Sequence, residues 1–189
     1  MITKGLDFDN VSVVGILSAD NMISFPDFRS FERSFQQMTQ VSGRAGRHAR
    51  RGKVIIQTYN PYHQVIRDVI DNNYLSMYTS QITERRVFRY PPFYKLIRIT
   101  VKHKNESVVN EAADLLAANL RQVFGNRVLG PEYPSVSRIR NSYLKNIQIR
   151  FEKNEAIAQA KKNIINISNN ICNQKQYSKL SIIHDADPM

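Results

Sequence analysis

The sequence lacks residues and runs that several large classes of protein require. It contains one cysteine, Cys172, and no tryptophan, so neither a disulfide nor a cysteine-rich zinc site can form within the chain. No apolar run approaches the ~20 residues of a membrane span. The only Gly-x-x-x-x-Gly, Gly125 to Gly130, continues into Pro131-Glu132 rather than into lysine and a hydroxyl residue, so there is no phosphate-binding P-loop. No adjacent Asp-Glu pair is present for a magnesium-binding box, and we expect no ATP hydrolysis by this chain alone.

What the sequence does have is positive charge. Its 189 residues carry 27 Lys and Arg against 16 Asp and Glu, a net charge of +11, and 42% of them are hydrophobic, enough for a packed core. Both parts are basic, with a net +4 over 1–93 and +7 over 94–189. This balance favours an acidic partner, with nucleic acid ahead of an anionic membrane surface. The single cysteine and the lack of a cationic apolar leader indicate a cytoplasmic protein without membrane contact.

The most informative segment is residues 40–47, Gln-Val-Ser-Gly-Arg-Ala-Gly-Arg. Arg44 and Arg47 keep their charge under all conditions and can each donate two hydrogen bonds to phosphate oxygens. Gly43 and Gly46 remove side-chain bulk, so that another surface can approach the backbone closely. The alternative is a basic helix end, in which the arginines only interact with the last carbonyl groups of the helix.

This segment resembles motif VI of the superfamily 2 helicases, and residues 3–8, Thr-Lys-Gly-Leu-Asp-Phe, resemble motif V. Further matches, in order along the chain, are similar to the C-terminal region of the PriA-type replication-restart helicases. They are Asp27-Phe-Arg-Ser30, Glu32-Arg33, Glu84-Arg-Arg86, Tyr90-Pro-Pro-Phe93, Leu129-Gly-Pro131 and Asp185-Ala-Asp-Pro188. The resemblance covers essentially the whole chain. It departs from the family at Leu6-Asp7, where many members have histidines.

The resemblance implies a larger enzyme of which this chain is the C-terminal piece, starting inside the second motor lobe. It implies ATP and Mg²⁺ as cofactors of the full-length enzyme, whose zinc ligands this chain does not contain; we predict no metal site here. The implied partners are forked or single-stranded DNA, other primosome proteins and single-strand-binding protein.

The resemblance also implies roles for individual residues of the motor lobe. Arg44 and Arg47 would reach the γ-phosphate of ATP, one as an arginine finger, and Gln40 would orient the attacking water or hold the arginines. The remaining nucleotide-side residues would be Gly5, Asp7, Gly43 and Gly46, with Lys4 near the DNA strand.

The predicted fold class is α/β followed by α+β. Residues 1–60 are predicted to be the end of a RecA-like second helicase lobe with a parallel sheet. Within it, 11–18 reads as a strand buried on both faces, Asp27 as the start of a helix, and 53–58 as a second strand. Its aromatic stripe is interpreted as core, and comprises Phe28, Phe31 and Phe35 with Met38.

Two further segments complete the predicted organisation. Residues 61–93 are predicted as a helical connector with a helix from 74 to 87, stopped by the prolines after Tyr90. Residues 94–189 read β-α-β-β-α-β, which predicts a split β-α-β, ferredoxin-like domain. Its first helix is predicted to be capped by Asn105 and ended by Gly125.

The hairpin between Val128 and Lys153 is the candidate DNA-binding site. Its basic residues interleave with an aromatic ring, a pattern that suits phosphate backbone plus a stacked base. The candidate DNA-binding residues are Arg138, Arg140, Tyr143, Lys145 and Arg150, with Arg127 and Lys153 nearby. The alternative is that these cations only solvate an exposed sheet face.

Two functions from different classes therefore remain open on the sequence. One is the C-terminal piece of an ATP-dependent DNA helicase that remodels stalled replication forks and restarts replication by primosome assembly. The other is a stand-alone nucleic-acid-binding or protein-docking module without motor activity.

Overall fold

The computed structural model describes residues 11–45 and 52–188. The chain divides into two compact units, 1–85 and 86–189. Their boundary falls in the last turn of a helix, α4, that runs from Tyr74 to Val87. The first unit contains a small parallel sheet and the second an antiparallel sheet, so the mixed α/β composition is confirmed. The predicted divisions after residues 60 and 93 stay predictions.

The described part of the first unit is a two-stranded parallel sheet with helices. Strand β1 is Val13–Ile16 and β2 is Lys53–Ile56, paired in parallel with Val13 opposite Lys53. The helices are α1 (Ala19–Ile23), α2 (Ser30–Ser42), α3 (Gln64–Ile70) and the beginning of α4. The 74–87 helix has the predicted bounds.

The core of this unit lies between the sheet and the helices. Phe35 and Met38 of α2 pack there with Val65, Ile66 and Val69 of α3. Strand β1 differs from its prediction, because Val13 is 54% exposed and only Ile16 is buried. In the described residues β1 pairs with β2 alone, so the apolar run is not buried on both sides.

Residues 24–29 also differ from their prediction. Helix α2 begins at Ser30, not at Pro26-Asp27. The Asp27 carboxylate instead accepts the Arg29 amide at 2.9 Å and the Arg33 guanidinium at 3.0 Å, closing a turn before the helix. Phe28 therefore lies outside the helical stripe, and the guanidinium groups of Arg29 and Arg85 lie 5.1 and 5.2 Å from its ring centre.

The second unit has the predicted order of elements with one addition, a two-residue strand at 138–139 that was not predicted. Its strands are β3 (Tyr94–His103), β4 (Val128–Glu132), β5 (Arg138–Ile139), β6 (Ser142–Glu152) and β7 (Ser181–Ala186), with helices α5 (Glu106–Phe124) and α6 (Ala158–Cys172). The sheet order is β4-β6-β3-β7 with antiparallel neighbours, and β5 pairs with the beginning of β6.

The core of this unit forms between one face of the sheet and helices α5 and α6. Ile97, Ile99 and Val101 of β3 alternate toward the helices, as do Ile147 and Ile149 of β6. Helix α5 presents a continuous apolar stripe of Val109, Ala112, Ala113, Leu116, Ala117 and Leu120, all fully buried. Each large side chain in such a stripe stabilises the fold by about 1.5–3 kcal/mol.

Both ends of α5 are as predicted. The Asn105 side chain accepts the Ser107 amide at 3.0 Å, which satisfies a free donor of the first turn. Gly125 ends the helix with a φ of 58°, a backbone conformation that costs glycine little.

Candidate nucleic-acid interface

The predicted DNA-binding segment contains a tight hairpin between β5 and β6. Arg138 lies opposite Tyr143 and Ile139 opposite Ser142, which leaves Arg140 and Asn141 as the two turn residues. Their φ values of 47° and 60° are both positive, as a two-residue hairpin of the usual twist requires. Asparagine tolerates this conformation well and arginine less so. The turn holds the Arg140 side chain exposed to solvent.

The Arg138 guanidinium is held over an aromatic ring. Its central carbon lies 5.1 Å from the centre of the Tyr143 ring, and one of its nitrogens donates to the Asn141 side-chain oxygen at 3.0 Å. Tyr143 is half-buried because one side of its ring packs against the core. A guanidinium placed over a ring loses less conformational freedom when it binds a phosphate.

Lys145 has a similar arrangement with an aromatic residue that the sequence analysis missed. Its ammonium nitrogen lies 5.0 Å from the centre of the Tyr133 ring. The Tyr133 hydroxyl lies 3.1 Å from Glu106 Oε1 and 2.9 Å from Asn110 Oδ1 on α5, which fixes the ring. Because Tyr133 precedes β5 in the loop after β4, only the pairing of β4 and β5 with β6 brings it to Lys145.

Arg150 does not join these residues. Side chains alternate along a strand, so Tyr143 and Lys145 share the helix-covered side of β6 with Ile147 and Ile149, whereas Arg150 lies on the opposite face. One of its terminal nitrogens donates to the Phe88 carbonyl at 2.7 Å, and its guanidinium lies 4.7 Å from the Tyr90 ring centre. The structure therefore separates Arg150 from the group to which the sequence assigned it.

Four residues remain together at the hairpin, and we call them the hairpin cluster: Arg138, Arg140, Tyr143 and Lys145. Arg127, also counted with the hairpin, forms an ion pair with Glu155 at 2.6 and 2.8 Å. No ion pair to a carboxylate within 4.0 Å is found for the cations of the hairpin cluster in the described part of the chain. Their charge is therefore available to an external anion.

The motor-lobe residues are described only in part. Gln40 is exposed in the last turn of α2, Gly43 follows the end of that helix, and Arg44 is half-buried in the next turn. Two predicted residues of motif VI, Gly46 and Arg47, lie outside the described residues, as do the motif V residues Lys4, Gly5 and Asp7. Arg85, on α4, forms an ion pair with Glu32 of α2.

The Asp187 side chain and backbone make structural contacts. The Asp187 carboxylate accepts a hydrogen bond from the Leu96 amide at 3.0 Å, and the Asp187 amide donates to the Leu96 carbonyl at 2.7 Å. These bonds join residue 187 to β3.

Within residues 11–45 and 52–188, no cluster of three histidine, cysteine or acidic side chains could hold a metal ion. The described residues also contain no helix long and apolar enough to cross a membrane.

Comparison with known proteins decides the family. A family model described as the primosomal protein N C-terminal domain matches residues 86–189. The chain belongs to this family. The match contains all of the second unit, including the hairpin cluster and Arg150.

Curated relatives of this primosomal family extend the similarity. Replication restart protein PriA of Bacillus subtilis is 41% identical over 87% of this chain, the Synechocystis protein of the same name 40% over 80%, and that of Treponema pallidum 39% over 79%. The chain spans only 21%, 18% and 23% of these relatives, about a fifth of their length. The first of these alignments, over 167 residues, extends well beyond the span of the family model.

Proposed function

We propose that this chain is the C-terminal part of a replication-restart DNA helicase and that its hairpin cluster contacts the DNA backbone. The hairpin cluster is the observation that supports the second half of the proposal. Three cations at this hairpin, two of them held over tyrosine rings, suit contact with a phosphate backbone. The name that these relatives share, replication restart protein, supports the first half.

The fold assignments made from the sequence belong to the same proposal. The strand order β4-β6-β3-β7, with two helices on one face, supports a ferredoxin-like domain. The parallel pairing of β1 with β2 and the two helices between them support the end of a RecA-like lobe. A division into lobe end, helical connector and DNA-binding domain completes this organisation.

The motor role concerns the residues around the end of α2. Arg44 and Arg47 would contact the γ-phosphate of ATP across a cleft, which couples hydrolysis to closure of two lobes. Gln40, Gly43 and Gly46 would support them, with Gly5 and Asp7 beside the nucleotide and Lys4 beside DNA. The guanidinium groups of Arg44 and Arg47 suit hydrogen bonds to the phosphates of ATP. This chain has no P-loop to hold the phosphates and Mg²⁺.

The zinc that the family resemblance implies does not fit this chain. Cys172 is the only cysteine, and burial raises the pKa of its thiol, which disfavours the thiolate that a metal would need. The proposed partners are forked or single-stranded DNA, other primosome proteins and single-strand-binding protein. A cytoplasmic location follows from this role.

The experiment is a salt titration of DNA binding. We expect the double substitution Arg138→Ala/Arg140→Ala to weaken binding of a labelled forked DNA by this chain, measured by fluorescence anisotropy. If both arginines neutralise phosphates, the slope of log affinity against log salt falls by about two.

A matched control separates contact from net charge. Lys161 and Lys162 are exposed on α6, so Lys161→Ala/Lys162→Ala removes the same charge away from the hairpin. The control should keep the original salt slope within about half a unit. Equal slopes for both double variants would refute the hairpin contact and leave only a diffuse charge effect.

A further inference from the structure

A second basic site lies on the other face of the sheet, at the opposite end of β6. A cavity of about 180 Å³ is lined by Arg89, Arg127, Arg150, Tyr94, Asn126 and Glu152, with Leu129 at its wall. Arg150 is seven residues along β6 from Tyr143, a distance of roughly 23 Å at strand rise. The cavity is therefore separate from the hairpin cluster.

Two of the three arginines are fixed by contacts that use only part of their hydrogen-bonding capacity. A terminal N–H group of Arg150 donates a hydrogen bond to the Phe88 carbonyl at 2.7 Å, and the guanidinium stacks on the Tyr90 ring. Its Nε is buried and has no hydrogen-bond partner among the described residues. Arg127 uses one terminal nitrogen for Glu155 and lies 5.8 Å from the Phe151 ring centre. A guanidinium has five donor hydrogens, so both keep donors for a ligand.

Arg89 differs because nothing in the described structure neutralises it. No hydrogen bond or ion pair involves its exposed side chain within residues 11–45 and 52–188. Its φ of 58° places its backbone in the left-handed region, which arginine seldom adopts. Its amide donates to the Arg86 carbonyl at 3.4 Å.

Three arginines line this one small cavity, and their positive charges repel one another unless an anion lies near them. Glu155 is already paired with Arg127, and Glu152 makes no ion pair within 4.0 Å in the described residues. The acidic side chains therefore do not bridge Arg89 and Arg150. A tetrahedral anion with several acceptor oxygens can accept hydrogen bonds from all three arginines at once, which a single carboxylate does less well.

We propose that this cavity binds a phosphate group through Arg89, Arg127 and Arg150. The phosphate can come from a DNA backbone or from a small phosphate compound. The DNA source rests on the proposed function, whereas binding of the phosphate group does not.

The test uses this chain and inorganic phosphate as the probe. Titration is followed by NMR of the arginine Nε–H signals. We expect saturable shifts of the Arg89, Arg127 and Arg150 signals at millimolar phosphate. Arg89→Ala should weaken the affinity about tenfold or more, because it removes a charge-assisted contact. Since Arg89 holds no other element by a side-chain hydrogen bond, this variant should fold, as its spectrum would verify.

Controls distinguish this site from general attraction to a basic protein. Lys162→Ala and the hairpin double variant Arg138→Ala/Arg140→Ala should leave the phosphate affinity unchanged. Shifts that do not saturate, or an Arg89→Ala affinity equal to that of the unaltered chain, would overturn the proposal.

A second arm identifies the source of the phosphate. If the site holds a DNA phosphate, Arg89→Ala also weakens binding of forked DNA and lowers the salt slope by about one. If DNA binding is unchanged while inorganic phosphate affinity falls, the site takes a small phosphate compound. If Arg138→Ala/Arg140→Ala does not weaken DNA binding while Arg89→Ala still weakens phosphate binding, the proposed hairpin contact is refuted but the cavity site is not.

Discussion

At the scale of single residues, aromatic rings decide what each cation of the second unit can do. Arg138 and Lys145 lie over tyrosine rings and keep their charge open to an external partner. Arg150 also lies over a tyrosine but donates to a backbone carbonyl as well, so part of its capacity is structural. Cations that look equivalent in the sequence thus make different contacts in the structure.

Gly130 offers the sharpest test of packing at one residue. A methyl group added at this position would lie 2.8 Å from the Asn146 carbonyl oxygen, and the backbone φ of Gly130 is 90°. The close neighbour is backbone of β6, which cannot rotate away. We expect Gly130→Ala to lower the free energy of unfolding by at least about 2 kcal/mol, measured by urea denaturation.

Gly125→Ala is the comparison for that experiment. Gly125 also has a positive φ, of 58°, but no atom lies within 4 Å of its added methyl group. Gly125→Ala should lower the free energy of unfolding less than Gly130→Ala does, because it adds backbone strain without a steric clash. An equal or larger cost at Gly125 would show that the contact with Asn146 does not determine the requirement for glycine.

At the scale of elements, the sequence predicted those whose pattern is local. The 74–87 helix and the Asn105 and Gly125 ends of α5 follow from caps and breakers, and the structure has them. Phe28 was placed on α2 because its spacing is helical, but Asp27 closes a turn that delays the helix to Ser30. The spacing of apolar residues alone does not show where a preceding turn ends and the helix begins.

The sequence indicated which hairpin carries the candidate residues, but not which of their side chains lie together. Alternation along β6 already places Lys145 and Arg150 on opposite faces, so the sequence contained that part of the answer. The contact of Tyr133 with Lys145 and that of Arg150 with Phe88 depend on how distant segments meet. No local pattern encodes such contacts.

The contact between α6 and β7 predicts a dependence on pH. Ser168 Oγ lies 2.9 Å from His184 Nε2, and burial lowers the pKa of His184 below its ordinary value. The unfolded chain then binds a proton at pH values where the folded chain does not, so stability is complete above about pH 6.5 and falls as the pH decreases below it. Because His184 is partly exposed, we expect a loss of less than about 1 kcal/mol at pH 5.5.

The control is His184→Gln, which can keep a hydrogen bond to Ser168 but does not titrate. Denaturation at pH 7.5 and 5.5 should show a smaller pH effect in this variant, since other titrating groups contribute equally to both proteins. An unchanged difference between the two pH values would mean that His184 does not couple α6 and β7 to protonation.

At the scale of the whole molecule, the chain combines two units with different chemistry. Residues 86–189 belong to a primosomal protein C-terminal domain family and carry the hairpin cluster. The unit before them carries Gln40, Gly43 and Arg44 at the end of α2. We propose that Gln40, Gly43 and Arg44 contribute to ATP hydrolysis in a longer enzyme and that the hairpin cluster contacts DNA.

The most direct test compares two variants of the full-length protein, Arg44→Ala/Arg47→Ala and Arg138→Ala/Arg140→Ala. Steady-state ATP hydrolysis at saturating forked DNA and DNA affinity by anisotropy are measured for both. We predict that the first variant loses at least about 10³-fold in ATP turnover with DNA affinity nearly unchanged. The second should lose DNA affinity and retain turnover once DNA is saturating. Unchanged turnover in the first variant, or equal loss of DNA affinity in both, would contradict the account.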